Sequence, residues 1–434
     1  MGFAAVGIFS FGLACVVLLM HPEALSGNPI RGSVLALTHL VTLGWIASLL
    51  FVGAYLLGPV LAGSPLWSSK LPVLHLICHV TGLALMLGGL AVLRYQIASM
   101  GALILFVGLL MLVVNLMKTA NRRSLWSPAN LAFQTAMFWL ALTGAAALFM
   151  LRARLTGNTT VPHEILIAMH AHFALFGFLA QALLAVSLWM VPYLLRTENP
   201  PAWLDHPGWT GWTLLNGGLL AIFPAVLTGS RVVILVAGVL IALGVVMFVV
   251  QLVGLFMLRR ERLTWDAVIV GTGILLLVLI VLGALASLPA AAGRSAEDLR
   301  AWMRLYISLS LLGPFAFAIL GSGERIIPRL VWQLRLAPWS GYANIPDSAT
   351  LTRTAAGGPV FFSLLMGWGY LAAGQILNDA NSIRLGAILL LVAFAWFLVS
   401  VSPAILRLVL GVTPGDLSGL RLSHGEPPQP TQTA

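Results

Sequence analysis

The sequence has 434 residues, of which 60% are hydrophobic and only 8% are charged. Soluble domains carry about 25% charged residues, so this composition excludes a water-soluble globular domain and indicates a polytopic membrane protein in the lipid bilayer. The net charge of +10 does not indicate a nucleic-acid partner, because the basic residues lie in short loops between apolar segments, where they set membrane topology.

Twelve segments are long enough to span a membrane, since a spanning helix needs about 20 apolar residues. They cover residues 3–20, 33–58, 71–93, 98–117, 129–151, 164–194, 209–229, 232–257, 266–288, 303–323, 357–377 and 385–410. The sequence therefore predicts an all-α polytopic membrane protein with a single transmembrane domain over residues 1–413. The segment 414–434, rich in Gly, Ser, Pro, Gln and Thr, is predicted to be a disordered C-terminal tail.

Basic residues favour one orientation of these helices. With the N-terminus inside, more Lys and Arg residues fall on the inner side of the membrane than on the outer side. The positive-inside rule then predicts that both termini are inside. The expected location is the bacterial inner (cytoplasmic) membrane.

A frame of three positions, separated by five and then fifteen residues, recurs three times along the chain. Its members are His39, Gly44 and Pro59, then His172, Gly177 and Pro192, then Ser308, Gly313 and Pro328. The copies begin at residues 39, 172 and 308, which are 133 and 136 residues apart. Recurrence at a nearly fixed period predicts internal triplication. The expected repeats are residues 1–128, 129–262 and 263–413, each with four helices, around a pseudo-threefold axis.

Histidines in the second and sixth predicted helices are the main candidates for chemistry. Burying imidazole in hydrocarbon costs free energy unless the ring is ligated or hydrogen-bonded, and an intramembrane titratable residue is a functional candidate. Imidazole suits iron and copper. His39 and His172, at matching repeat positions, are therefore candidate metal ligands. The structural alternative is a hydrogen bond from each ring to a neighbouring carbonyl.

His170 lies two residues from His172, or about 200° around a helix. We therefore expect these rings to face different compartments, with His170 free to serve a second cofactor or a copper ion. His75 and His79 form an i, i+4 pair on one face of the third helix. They are candidate metal ligands in the inner half, with a quinone pocket, a proton route or interfacial histidines as alternatives.

The run His170-Ala171-His172, followed by Phe-Ala-Leu-Phe-Gly-Phe and a later Pro192, resembles the heme-ligand helix of the heme–copper oxidase subunit I superfamily. The cbb3-type oxidases and nitric oxide reductases are closest in character. Thr38-His39-Leu-Val-Thr-Leu-Gly44-Trp45 is similar to that family's second helix. The resemblance implies twelve helices in three arcs, heme b, and respiratory electron transfer or chemistry on nitric oxide or oxygen. It also implies a cytochrome c or quinol electron donor and further membrane subunits.

The chain departs from this family at the copper site. Tyr306 and Ser308 stand where the family has a His-x-His pair on the tenth helix, and the seventh helix, with Thr213-Leu-Leu-Asn216-Gly-Gly, contains no histidine. A complete oxygen-reducing center with three copper histidines is therefore not expected. Threefold symmetry suggests instead that His39 and His172 clamp one heme b, displaced by one repeat.

Two other functions remain open, and oxidoreductase activity is itself undecided. The chain could be a cofactor-free membrane subunit that keeps the fold of this family. It could also be a secondary transporter, although many carriers are built from two six-helix halves and not from three four-helix units.

Overall fold

A computed structural model describes residues 2–26, 31–120, 126–157, 163–195, 197, 200–260, 262–291, 296–340, 344–413 and 416. Within these ranges the regular structure is entirely helical. Nine long helices are continuous: α1 (Gly2–Met20), α3 (Leu71–Ala91), α4 (Tyr95–Thr119), α5 (Pro128–Thr156), α7 (Asp205–Thr228), α8 (Arg231–Met257), α9 (Trp265–Ala291), α11 (Gly357–Ile376) and α12 (Ala380–Leu410).

Three further helices change geometry part of the way along. α2 consists of Gly32–His39, a π-helical segment Leu40–Ala47, and Ser48–Ala62. α6 consists of His163–His172, a π-helical segment Phe173–Ala180, and Gln181–Leu194. α10 consists of Ala296–Leu312 and Pro314–Arg335, separated at Gly313. A short helix, Glu23–Ser26, joins α1 to α2.

The predicted fold class is confirmed. Among the described residues, eleven helical spans are long and apolar enough to cross a membrane, which indicates an integral membrane protein. The remaining predicted span corresponds to α7, which begins with the polar residues Asp205 and His206. The predicted C-terminal tail lies outside the described residues except for Asp416, which pairs with Arg407 at 2.9 Å.

The second helix of each predicted four-helix unit lies in the interior. α2, α6 and α10 are more enclosed by protein than any other candidate span among the described residues. Each carries one copy of the His/Ser–Gly–Pro frame. The helices with the candidate ligands therefore form the central layer of the bundle.

The third and fourth helices of each predicted unit form a close pair. The pairs are α3 with α4, α7 with α8, and α11 with α12. In each pair a glycine approaches a glycine of the partner helix: Gly82 with Gly101, Gly211 with Gly244, and Gly367 with Gly386. Small residues let membrane helices approach closely, which strengthens van der Waals packing in a lipid solvent. This recurrence accords with the triplication, which stays a prediction.

Asp379 caps α12 outside the membrane-spanning segments. Its carboxylate accepts hydrogen bonds from the Ser382 hydroxyl at 2.6 Å, from the Ser382 N–H at 3.0 Å and from the Asn381 N–H at 3.1 Å. These bonds, led by the Ser382 hydroxyl, hold the pKa of the Asp379 carboxyl below its ordinary value. The cap therefore satisfies amide groups that the first turn of a helix leaves unpaired.

We expect Asp379→Ala to lower thermal stability at neutral pH, with a smaller difference from the wild type in acid. Because the folded-state pKa is depressed, the stabilisation is fully present above the unfolded-state pKa of about 3.9 and is lost as pH falls through the folded value. Melting temperatures of both proteins in detergent across this range measure the effect. Asp379→Asn, which keeps a capping oxygen, should melt near the wild type at neutral pH. A difference for Asp379→Ala that persists unchanged in acid would contradict this role for the carboxylate.

Candidate functional site

A cavity of about 270 Å³ lies between the central helices α2, α6 and α10. Side chains from α1, the short helix Glu23–Ser26, α3, α4 and α5 complete its wall. The lining is predominantly apolar, and its polar side chains are Thr38, His39, Thr42, Thr143, His170, His172, Arg304, Tyr306 and Ser308. Ligand pockets typically combine apolar walls with a few convergent polar groups and begin near 300 Å³. The cavity has this character and lies close to that lower size.

All three histidines predicted in this region border the cavity, and each ring is held in the same way. Nδ1 of His39 lies 2.7 Å from the Leu35 carbonyl, and Nδ1 of His172 lies 2.8 Å from the Ala168 carbonyl. Nδ1 of His170 lies 3.1 Å from the Thr143 carbonyl of α5. A carbonyl oxygen only accepts, so Nδ1 carries the proton in each ring and Nε2 keeps its lone pair. A hydrogen bond from one ring nitrogen to a backbone carbonyl, which orients the other nitrogen, is typical of metal-binding histidines.

The structure brings His39 and His170 together. Their ring centroids are 6.3 Å apart, with planes inclined at 34°. The ring of His172 packs against Phe176 at 6.0 Å, and among the ring contacts of the described residues it has none with His39. The predicted His39–His172 clamp remains a prediction, while the facing pair is His39 with His170.

The helix spacing predicts that His170 and His172 face different compartments, and the structure gives their rings different neighbours. The His170 ring bonds to α5, and the His172 ring bonds to its own helix. Both residues border the same cavity.

The π-helical segments lie at matching positions. One begins directly after His39 and the other directly after His172. Each contains the glycine of the repeat frame, and each glycine approaches the preceding helix. A Cβ on Gly44 would lie 2.7 Å from Ser10 Oγ of α1, and a Cβ on Gly177 would lie 2.7 Å from Trp139 Cβ of α5. π-helical turns frequently occur at functional sites.

The third copy of the frame contributes different side chains. Tyr306 borders the cavity and stacks on Trp302, with ring centroids 5.2 Å apart. The Ser308 hydroxyl donates to Gln375 Oε1 at 2.7 Å. Arg304 also borders the cavity, which the sequence analysis did not predict. Arg304 lies four residues before Ser308 and therefore on the same helix face, and this spacing could have indicated that it borders the cavity.

Asn216 does not take the place of the missing copper histidines. It accepts a hydrogen bond from Trp139 Nε1 at 2.7 Å and donates to Gln181 Oε1 at 3.2 Å and to the Trp212 carbonyl at 2.8 Å. This network joins α5, α6 and α7, and it does not border the cavity. Polar side chains commonly hold membrane helices together in this way.

His75 and His79 lie apart from the cavity, in contact with α1 and α2. Both are buried, with 0% and 1% of their surface exposed. His75 Nδ1 lies 3.0 Å from the Tyr55 hydroxyl, and His79 Nε2 lies 2.8 Å from Ser48 Oγ. Histidines at the membrane interface would be partly exposed, so this burial does not fit the interpretation of His75 and His79 as interfacial residues.

The ligand set of the cavity fits a heme better than a copper ion held by three protein groups. Within the part of the chain that the structure describes, no group of three or more His, Cys, Asp or Glu is placed to hold one metal ion. A heme iron brings four nitrogen ligands of its own and needs only one or two from protein. Two imidazoles that bind one metal at about 2.0–2.1 Å from opposite sides have ring centers roughly 6–6.5 Å apart. The His39–His170 separation of 6.3 Å matches this requirement.

Comparison with known proteins identifies no relative: no family model matches the sequence, and no curated protein matches it significantly.

Proposed function

We propose that this chain is an integral membrane heme protein, resembling heme–copper oxidase subunit I, that holds heme b in the cavity between α2, α6 and α10. His39 and His170 would hold the heme in this proposal. The observation that carries it is the pair of facing rings, 6.3 Å apart, each with Nδ1 bonded to a backbone carbonyl. The fold of three four-helix repeats belongs to the same proposal.

The protein's own groups would orient and shield the cofactor. The Leu35 and Thr143 carbonyls fix the tautomer of His39 and His170 and leave Nε2 as the ligand atom. Arg304 borders the cavity and offers a cation to an acidic substituent of the porphyrin. The apolar lining keeps water away from the iron. Bound heme b would supply reversible one-electron chemistry.

In this proposal the protein transfers electrons or acts on nitric oxide or oxygen. It lies in the bacterial inner membrane, with both termini on the inner side. A cytochrome c or a quinol would donate the electrons, and other membrane subunits would complete the assembly. The copper site of an oxygen-reducing center is not part of this proposal. The seventh helix has Asn216 in the region where the family has copper histidines, and the Asn216 side chain is hydrogen-bonded to Trp139 and Gln181.

A reduced-minus-oxidised visible spectrum of the purified protein tests the proposal, with iron and copper analysis of the same sample. The expected result is a sharp low-spin b-type spectrum with one heme iron per chain. A folded preparation, made with heme available, that contains no heme would overturn the proposal. The cofactor-free subunit and the transporter would then remain.

A further inference from the structure

The buried pair His75 and His79 is not used by the proposed heme site. The two rings lie 5.9 Å apart, centroid to centroid, at an angle of 77°. They are packed among aromatic rings: Phe3 lies 4.7 Å from His75 and 5.5 Å from His79, and Phe51 lies 4.9 Å and 5.5 Å from them. Two ionisable side chains therefore stand within an aromatic cluster inside the membrane.

The hydrogen bonds assign a proton to one edge of the His79 ring. The Ser48 hydroxyl donates to the Leu43 carbonyl at 3.0 Å. A hydroxyl has one proton to donate, so Ser48 Oγ acts as the acceptor for His79 Nε2–H at 2.8 Å. Nδ1 of His79 is then an imidazole nitrogen with a free lone pair.

His75 can adopt the corresponding state. Its Nδ1 faces the Tyr55 hydroxyl at 3.0 Å, and a proton on Nδ1 leaves the lone pair on Nε2. Both His75 Nε2 and His79 Nδ1 are buried and have no hydrogen-bond partner. An unpaired buried polar atom has lost its hydration without gaining a hydrogen bond in exchange, which disfavours the folded state. A bound ligand that uses both nitrogens would remove this cost.

We propose that His75 Nε2 and His79 Nδ1 bind one monovalent copper ion, Cu(I). The i, i+4 spacing puts both rings on one helix face, and imidazole is a suitable ligand for copper. Each ring has its other nitrogen bonded to a hydroxyl oxygen, and such a bond orients a ligating histidine. Neither nitrogen loses a proton on binding, and no electron is transferred.

The surroundings select a singly charged ion of low coordination number. Zinc takes four ligands and calcium six to eight, whereas the described residues contain no group of three or more His, Cys, Asp or Glu that could hold one ion. Two imidazole nitrogens at about 2.0–2.1 Å on opposite sides of one ion place their ring centers roughly 6–6.5 Å apart, and the observed separation of 5.9 Å lies just below this range. The faces of Phe3 and Phe51 can stabilise one positive charge through cation–π contact.

The experiment measures Cu(I) bound to the purified full-length protein after anaerobic loading and desalting. Three proteins are compared: the wild type, the dyad variant His75→Gln/His79→Gln, and the cavity variant His39→Gln/His170→Gln/His172→Gln. We expect the wild type and the cavity variant to share one copper ion that the dyad variant lacks, with X-ray absorption showing nitrogen and no sulfur ligands. Equal copper in the wild type and the dyad variant, or loss of this ion in the cavity variant, would overturn the proposal.

A second variant keeps the test valid if the dyad variant fails to fold. Ser48→Ala retains both rings but removes the oxygen that accepts the His79 proton. Loss of a hydrogen-bond partner of a ligating histidine typically weakens metal affinity by about 10–100-fold, and we expect a loss of Cu(I) affinity in this range. Unchanged affinity would contradict the proposed site. Because the copper content is measured separately from the heme spectrum, its outcome is distinguishable from that of the proposed function.

Discussion

His39→Gln and His170→Gln are each expected to abolish the low-spin heme b spectrum of the purified protein, whereas His172→Gln is expected to keep it. Low-spin six-coordinate iron needs two axial imidazoles, and the facing rings in the cavity are His39 and His170. The ring of His172 packs on Phe176 instead. The measurement is the reduced-minus-oxidised spectrum and the heme content of each variant.

His206→Gln is the matched control, since this exposed histidine lies in the first turn of α7, away from the cavity. It should leave the spectrum unchanged. Loss of the spectrum in His172→Gln but not in His170→Gln would contradict the pairing proposed here and would favour the His39–His172 clamp that repeat symmetry predicts. Survival of the spectrum in His39→Gln would exclude both pairings.

Gly89→Ala is expected to destabilise the α3–α4 pair strongly, whereas Gly88→Ala, one residue earlier, is not. A Cβ at residue 89 would lie 2.4 Å from the Ala98 backbone nitrogen and 3.0 Å from the Arg94 carbonyl oxygen, so the two helices must separate. Overpacking of this kind typically costs about 1–3 kcal/mol. A Cβ at residue 88 meets nothing within 4 Å, and alanine favours the helix by roughly 0.5–1 kcal/mol.

Thermal unfolding of the two variants and the wild type in the same detergent measures this contrast. The expected order of melting temperature places Gly89→Ala lowest and Gly88→Ala at or above the wild type. Because both changes add one methyl group to consecutive positions of one helix, composition and helix propensity are matched. Equal melting temperatures for the two variants would show that close approach at Gly89 does not stabilise the pair.

The sequence was sufficient to predict the helices but not the partners of their side chains. A spanning helix is a local property of about 20 apolar residues, which is why the predicted spans agree with α1 to α12 within a few residues at most ends. The bond from His170 to the Thr143 carbonyl joins groups 27 residues apart on separate helices. No spacing within one helix contains that information, so repeat symmetry predicted His172 as the partner of His39, whereas the ring that lies 6.3 Å from His39 is that of His170.

The polar neighbours of the candidate sites could not be predicted from the sequence for a similar reason. Thr143 offers a backbone carbonyl, which every residue has, and Ser48 and Tyr55 look like ordinary helix residues until α2 is placed beside α3. The π-helical segments also lack a signature in composition. Gly44 and Gly177 mark the repeat frame in the sequence, but nothing in it indicates the wider turn that follows each histidine.

The π-helical segment of α2 has a mechanical consequence. It separates His39, at the cavity, from Ser48, which contacts His79. A π-helix has more residues per turn than an α-helix, so converting this segment to α-helix would rotate one end of α2 against the other by part of a turn. The segment is thus a torsional joint.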